Sequence, residues 1–188
     1  MLILASASPR RYELLKGAGF EFKVIPAENE EIEPKMKPEA AAVTTAKSKA
    51  LEVAVKFPKD VVLAADTIVV LSGEIMNKPE NEADAFRMLR ALSGVRHTVI
   101  TGVYIVKENI SKAFYQRTSV EFNKLSDEEI KAYIKTDEPF DKAGAYGIQE
   151  KGALLVKGVR GDYFNVMGLP IAKTARELQK FGIKPKWQ

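Results

Sequence analysis

The chain contains no cysteine, one histidine and one tryptophan among its 188 residues. Without cysteine there is no disulfide framework, no thiolate metal site and no thiol nucleophile, and a cytoplasmic setting is expected. His97, the single histidine, has no second histidine or cysteine to form a nucleophilic dyad. At the start of an apolar strand its expected role is structural, which turns attention to a carboxylate as the acid–base group. No apolar run approaches the roughly 18 residues of a membrane span, and the N-terminus lacks a signal-peptide pattern. Charge imbalance is small: 29 basic residues stand against 25 acidic ones, for a net charge of +4. The lysines are dispersed, which argues against nucleic-acid or membrane partners but leaves a mild field attractive to small anions.

What is present is an ordinary globular composition, 46% hydrophobic and 29% charged. The length suits a single domain over 1–188, and no repeat, low-complexity stretch or linker divides it. Strands and helices alternate. Apolar runs predict strands at Leu2–Ala5, Phe22–Ile25 and Val61–Ala64, the last continuing through Thr67–Leu71 to a Ser72-Gly73 hairpin signal before Glu74–Met76. Longer paired strands are expected at Thr98–Val106 and Ala113–Phe122, and a further strand at Leu154–Val156. Helical spacing marks Pro38–Phe57, with Val43, Ala46, Ala50, Ala54 and Phe57 on one stripe and Lys49 off it. It also marks Glu82–Leu92, Asp127–Thr136 with a capping box at Ser126 and Glu129, and Pro170–Phe181. Gly161–Asn165 reads as loop. The order predicts a mixed α/β domain, a twisted mixed sheet flanked by helices.

Ser6-Ala7-Ser8-Pro9-Arg10-Arg11 follows the first strand and opens a helix. Ser8 is a good N-cap and Pro9 suits the first helical position. Free backbone N–H groups and a positive helix end there suit an anion. Two arginines in a first turn oppose the helix dipole. A phosphate chain gripped by guanidinium would explain them, and so would a solvated basic helix start. Asp66 follows an apolar strand, where α/β proteins place ligands. A carboxylate there can hold a divalent ion, take a proton from water or cap a turn. Lys78-Pro79 fixes a lysine after the hairpin. The acidic loop around Glu30 and Glu31 offers a further metal ligand or an ordinary solvated surface. Asp141–Gln149 is rich in glycine and alanine, which permits close backbone approach to a ligand, and Gln149 carries both a donor and an acceptor; a tight connecting loop is the alternative.

Together these segments resemble the Maf family of nucleoside triphosphate pyrophosphatases along nearly the whole chain and in order. The matching pieces are Ser6–Arg11, Lys49-Ala50, Ala65–Val69, Lys78-Pro79, Thr98–Val103, Asp141–Gln149 and Gly168-Leu169-Pro170. The resemblance implies the fold of the inosine triphosphate pyrophosphatases, with two lobes around a cleft and frequent homodimers. It implies a cytoplasmic enzyme that uses Mg²⁺, Mn²⁺ or Co²⁺ and splits a nucleoside triphosphate between its α and β phosphates. Asp66 is then implied as the proton acceptor, with Lys49, Lys78 and Glu31 as the rest of the catalytic set. Ser6, Ser8 and Arg11 are implied as phosphate-binding, and Asp66 with Glu31 as metal ligands. Arg10, Thr67 and Gln149 are implied as substrate selectors. The branch acting on 7-methyl-GTP typically carries tryptophan at Arg10 and glutamate at Gln149, so this chain resembles the dTTP/UTP branch. An amide can donate to and accept from a uracil or thymine edge, whereas a carboxylate suits guanine. The family has also been linked to inhibition of septum formation. The chain departs from the usual pattern at Asn77 and Glu150, both places where glycine is common, and at Glu28 and Asn29, where aspartates are frequent.

Overall fold

The computed structural model describes residues 1–28 and 36–187. Its strands are β1 (Leu2–Leu4), β2 (Lys23–Val24), β3 (Val61–Leu71), β4 (Glu74–Met76), β5 (Arg96–Lys107), β6 (Ile110–Phe122) and β7 (Val156–Arg160). They form one mixed sheet in the order β2-β1-β3-β5-β6-β7, with β4 paired to β3. β1 is parallel to β2 and β3, whereas β4 and β7 run antiparallel to their neighbours. The helices are α1 (Pro9–Gly17), α2 (Pro38–Lys56), α3 (Glu82–Leu92), α4 (Asp127–Ile134), α5 (Tyr163–Met167) and α6 (Ile171–Gln179). The mixed α/β architecture is the one expected. No helix among the described residues is long and apolar enough to cross a membrane.

By packing, the chain divides into two compact units. One comprises Met1–Asp66, Thr101–Gln116 and Gly168–Gln188, the other Thr67–Ile100 and Arg117–Met167. In the first, the period-two alternation of the strands builds two apolar faces. Leu2, Leu4, Leu63 and Ala65 pack with Leu15 of α1 and Leu178 of α6. Ile3, Ala5, Val62 and Ala64 pack with Ala46, Ala50 and Val53 of α2. The small side chains of α2 let its backbone come close to the sheet. At Gly102 a Cβ would lie only 2.3 Å from the Ala42 carbonyl carbon, so glycine is required there by contact rather than by a turn.

The second unit has its own core, in which Val69, Met88, Leu89, Leu92, Val99, Phe122, Ile130 and Tyr146 converge. Each large apolar side chain buried in this way stabilises the fold by about 1.5–3 kcal/mol before entropy is counted. α3 starts at Asn81, whose side chain accepts from the Asp84 N–H at 2.9 Å. α4 starts at the expected capping box of Ser126 and Glu129.

Two readings of this unit are corrected. The strand expected at Leu154–Val156 starts only at Val156, because Glu150–Leu155 coils as a 3-10 helix. The coil arises where Gly152 closes on Gly147: a Cβ on Gly152 would sit 2.0 Å from the Gly147 carbonyl oxygen. The stretch read as loop at Gly161–Asn165 instead opens α5. Asp162 Oδ1 accepts from the N–H groups of Phe164 at 2.9 Å and Asn165 at 3.3 Å, a cap for a helix too short to show a period.

Candidate active site

In the first unit the register places β1 beside β3 with Leu4 opposite Leu63, and the Ala5 N–H donates to the Leu63 carbonyl at 2.8 Å. The chain therefore leaves β1 at Ser6 next to the stretch of β3 that runs on to Asp66. This is the carboxyl end of parallel strands, where open α/β sheets present ligand-binding groups. Ser8 occupies the N-cap position of α1 and Pro9 its first turn, as expected, but the Ser8 hydroxyl caps nothing. Instead Ser6 Oγ accepts from the Ser8 N–H at 3.3 Å and from Arg11 Nη1 at 3.0 Å. Arg11 Nε also donates to the Gly168 carbonyl at 2.9 Å. The guanidinium is thus held on two sides at a helix start that lacks a side-chain cap. Arg10, the residue before it, is half-buried.

The other pair is Lys49 and Asp66. Alternation along β3 puts Asp66 on the face of Val62 and Ala64, which is the face α2 covers. Lys49 Nζ donates to Asp66 Oδ1 at 2.9 Å, with the two side chains 11% and 20% exposed. The reading of Lys49 as lying off the packed stripe is corrected. Ala42, Thr45, Ala46 and Val53 of α2 are buried, and Lys49 lies within the face they define. A lysine embedded in an alanine face, one turn from Thr45 and Val53, is the sequence signal of a buried ionic partner. Asp66 Oδ2 makes no hydrogen bond among the described residues and remains an open acceptor. Glu31, the expected acidic companion, lies outside the described residues.

The second unit carries Thr67, Lys78 and Gln149. Thr67 follows Asp66 directly on β3 and is half-buried. Lys78 is exposed while Pro79 behind it is buried, so the proline anchors the backbone that carries the lysine. The Gly144 N–H donates to the Asn77 carbonyl at 3.0 Å, which joins the lysine-bearing stretch to the glycine-rich segment. Gly144 sits at φ +69° with the Val69 side chain 3.0 Å from where its Cβ would be. Gln149 is extended and half-buried, and Glu150 after it takes φ +53°. That left-handed backbone is one that glycine would adopt without strain. Two partners went unrecognised in the sequence: the Gly168 carbonyl that orients Arg11, and Glu138, which with Tyr133 holds the segment bearing Gln149. No spacing rule points to a backbone carbonyl, and Glu138 precedes a proline in an unremarkable polar stretch. His97, by contrast, is buried in the second core as expected.

A mixed sheet flanked by helices, with Arg11 and the Lys49–Asp66 pair held near the carboxyl end of β1, defines a mixed α/β protein with charged side chains where its parallel strands end. A solved HAM1 protein from Coxiella burnetii shares this fold, with a TM-score of 0.55 at 13% identity, covering 95% of this chain and 98% of that one. The Maf-like protein family matches residues 1–181, and the chain belongs to it. Among curated relatives, a dTTP/UTP pyrophosphatase of Carboxydothermus hydrogenoformans is 48% identical over 183 residues, 96% of this chain and 98% of its own. One of Bacillus pumilus is 49% identical over 185 residues, with 98% of each chain covered.

Proposed function

We propose that this chain is a nucleoside triphosphate pyrophosphatase that hydrolyses dTTP and UTP to the monophosphate and pyrophosphate. Relatives of that name align with it almost end to end. The geometric observation that carries the reading is the Lys49–Asp66 pair, because it fixes one carboxylate oxygen at 2.9 Å and leaves the other open. In this reading the triphosphate lies against the start of α1. Arg11, oriented by Ser6 and the Gly168 carbonyl, donates to it, and Lys49 offsets its charge; Lys78 is assigned to the catalytic set by the family resemblance. Asp66 accepts a proton from a water that attacks the α-phosphorus. The bond to the oxygen bridging α and β breaks, and pyrophosphate leaves. Catalysis of this kind rests on positioning and electrostatics.

Among the described residues no three carboxylate or imidazole groups cluster as a ready metal cage. A Mg²⁺, Mn²⁺ or Co²⁺ ion nevertheless fits the hard oxygen of Asp66, since such ions take one or two carboxylates and complete their shell with phosphate oxygens; the second carboxylate that the family resemblance implies is Glu31. When bound, the ion would neutralise charge on the phosphate chain. Arg10, Thr67 and Gln149 are assigned to base selection, the Gln149 amide matching the mixed donor and acceptor edge of uracil or thymine. The absence of cysteine supports a cytoplasmic setting.

The test is pyrophosphate release from a panel of canonical and modified nucleoside triphosphates. UTP and dTTP should lead, and Asp66→Asn should lower the rate by about a hundredfold or more. Turnover retained in Asp66→Asn removes the base assignment, and a preference for 7-methyl-GTP removes the pyrimidine assignment.

A further inference from the structure

The segment carrying Gln149 is closed by a clamp built from two residues on neighbouring elements of the second unit. The Tyr133 hydroxyl, at the end of α4, donates to Glu138 Oε1 at 3.1 Å. The same hydroxyl accepts from the Gly147 N–H at 3.2 Å. Glu138 Oε1 in turn accepts from the Gly152 N–H at 3.3 Å. Gly147 and Gly152 are the two ends of the short loop whose middle holds Gln149; Gly152 is packed against backbone too tightly for any side chain, and Gly147 abuts the Glu138 and Lys142 side chains. A Cβ on Gly147 would meet Glu138 Oε1 at 2.9 Å, and one on Gly152 would meet the Tyr133 hydroxyl at 2.9 Å. Lys142 Nζ donates to the Glu138 carbonyl at 2.6 Å and steadies the carboxylate's own backbone.

Two further facts distinguish this from incidental packing. Glu138 Oε2 is buried and has no hydrogen-bond partner among the described residues, so the carboxylate is kept there at a desolvation cost. Burial, reinforced by the adjacent Glu138 charge, pushes the Tyr133 phenol's pKa up and keeps its proton available for donation. A half-buried acid with one orphaned oxygen, which holds one end of the loop itself and meets at Tyr133 the hydroxyl that holds the other, acts through that loop.

We propose that Glu138 and Tyr133 are positioning residues for substrate selection: together they fix the neck of the Gly147–Gly152 loop and so set the backbone on which Gln149 reads the base. This rests on the assignment of Gln149 to base selection, and the experiment separates the two claims. Tyr133→Phe removes only the hydroxyl and keeps the ring in the core. Glu138→Gln keeps an acceptor for Gly152, whereas Glu138→Ala removes it. Amide hydrogen exchange at Gly147 and Gly152 is measured in the full chain, together with kcat and KM for UTP and GTP.

In Tyr133→Phe the Gly147 amide should exchange at least about tenfold faster. KM for UTP should rise roughly fivefold with kcat within about twofold, narrowing the UTP-to-GTP ratio. Glu138→Ala should act similarly, and Glu138→Gln should stay near wild type. Unchanged exchange in Tyr133→Phe overturns the clamp. So does faster exchange with an unaltered UTP-to-GTP ratio, provided that Gln149→Glu does alter that ratio. If Gln149→Glu leaves the ratio unchanged, the base assignment of Gln149 falls. Accelerated exchange then still upholds the clamp as the loop's anchor, and unchanged exchange sinks it.

Discussion

His97 packs edge-on against Phe122 and Tyr146, with ring centroids 5.1 and 5.4 Å away, and its Nε2 lies 2.7 Å from the Tyr146 hydroxyl. Its Nδ1 is buried with no hydrogen-bond partner among the described residues. Burial therefore disfavours the imidazolium and lowers the pKa from the ordinary 6.5 to about 4. The sign of the linkage follows. Above pH 6.5 the ring is neutral in both folded and unfolded chains and contributes no pH dependence. Between 6.5 and 4 only the unfolded chain takes up the proton, so stability falls as the pH falls. Shifts of this size correspond to about 2–3 kcal/mol lost between pH 7 and 4.5. Urea unfolding at those two pH values should show a smaller loss in His97→Gln than in wild type, by about that amount. Equal losses in the two proteins would show that His97 is not the buried neutral group described here.

At the scale of the element, α2 decides whether the Lys49–Asp66 pair forms, and Gly102 decides where α2 sits. An added methyl at Gly102 would fall 2.3–2.5 Å from the backbone of Ala42 and Val43, so the helix must move off the sheet. Gly102→Ala should cost about 2–3 kcal/mol in urea unfolding, near the upper end for overpacking because backbone yields less than side chain. It should also weaken pyrophosphate release by drawing Lys49 away from Asp66. An unchanged unfolding midpoint would contradict the contact. The same helix shows what a sequence discloses and what it hides. Its length and ends were legible from alanine spacing and Pro38, and Ala46, Ala50, Ala54 and Phe57 of the expected stripe do pack in the core, yet the buried face is broader and also takes in Ala42, Thr45 and Val53. Its full width was hidden because alanine scores as apolar on either face, so only tertiary contact sets how far the buried face extends. β7 and α5 were hidden for a different reason. One is an edge strand of exposed residues, and the other is a single capped turn, so neither carries a hydrophobic period.

Across the whole molecule, the chemistry-bearing side chains were easier to see than the groups that aim them. Asp66 and Arg11 stand out by type and position, and Lys49 through the family resemblance. The groups that aim them are visible only once the chain is folded: the Gly168 carbonyl lies 157 positions from Arg11, the Tyr133–Glu138 clamp reaches 14 positions to Gly147 and Gly152, and even Ser6, five positions from Arg11, carries no pattern that marks it as an acceptor. The same long-range character has a consequence for stability. Three strands each contribute residues to both compact units: β3 changes unit at Asp66, β5 at Ile100 and β6 at Gln116. Melting either unit alone would require each of these strands to remain ordered over half its length while losing its packing over the other half. Unfolding should therefore be a single cooperative transition, with calorimetric and van't Hoff enthalpies equal. Trp187 supplies a local probe for the first unit, since its indole N–H donates to the Ala18 carbonyl at 2.9 Å. For the second unit the probe is hydrogen exchange at Gly147, held by the buried Tyr133 hydroxyl. Loss of the tryptophan signal should coincide with the calorimetric peak, and under denaturant Gly147 should reach the exchange rate of the unfolded chain at the same midpoint. Two heat-absorption peaks, or a Trp187 transition displaced from the main one by several degrees, would show that the shared strands do not couple the units.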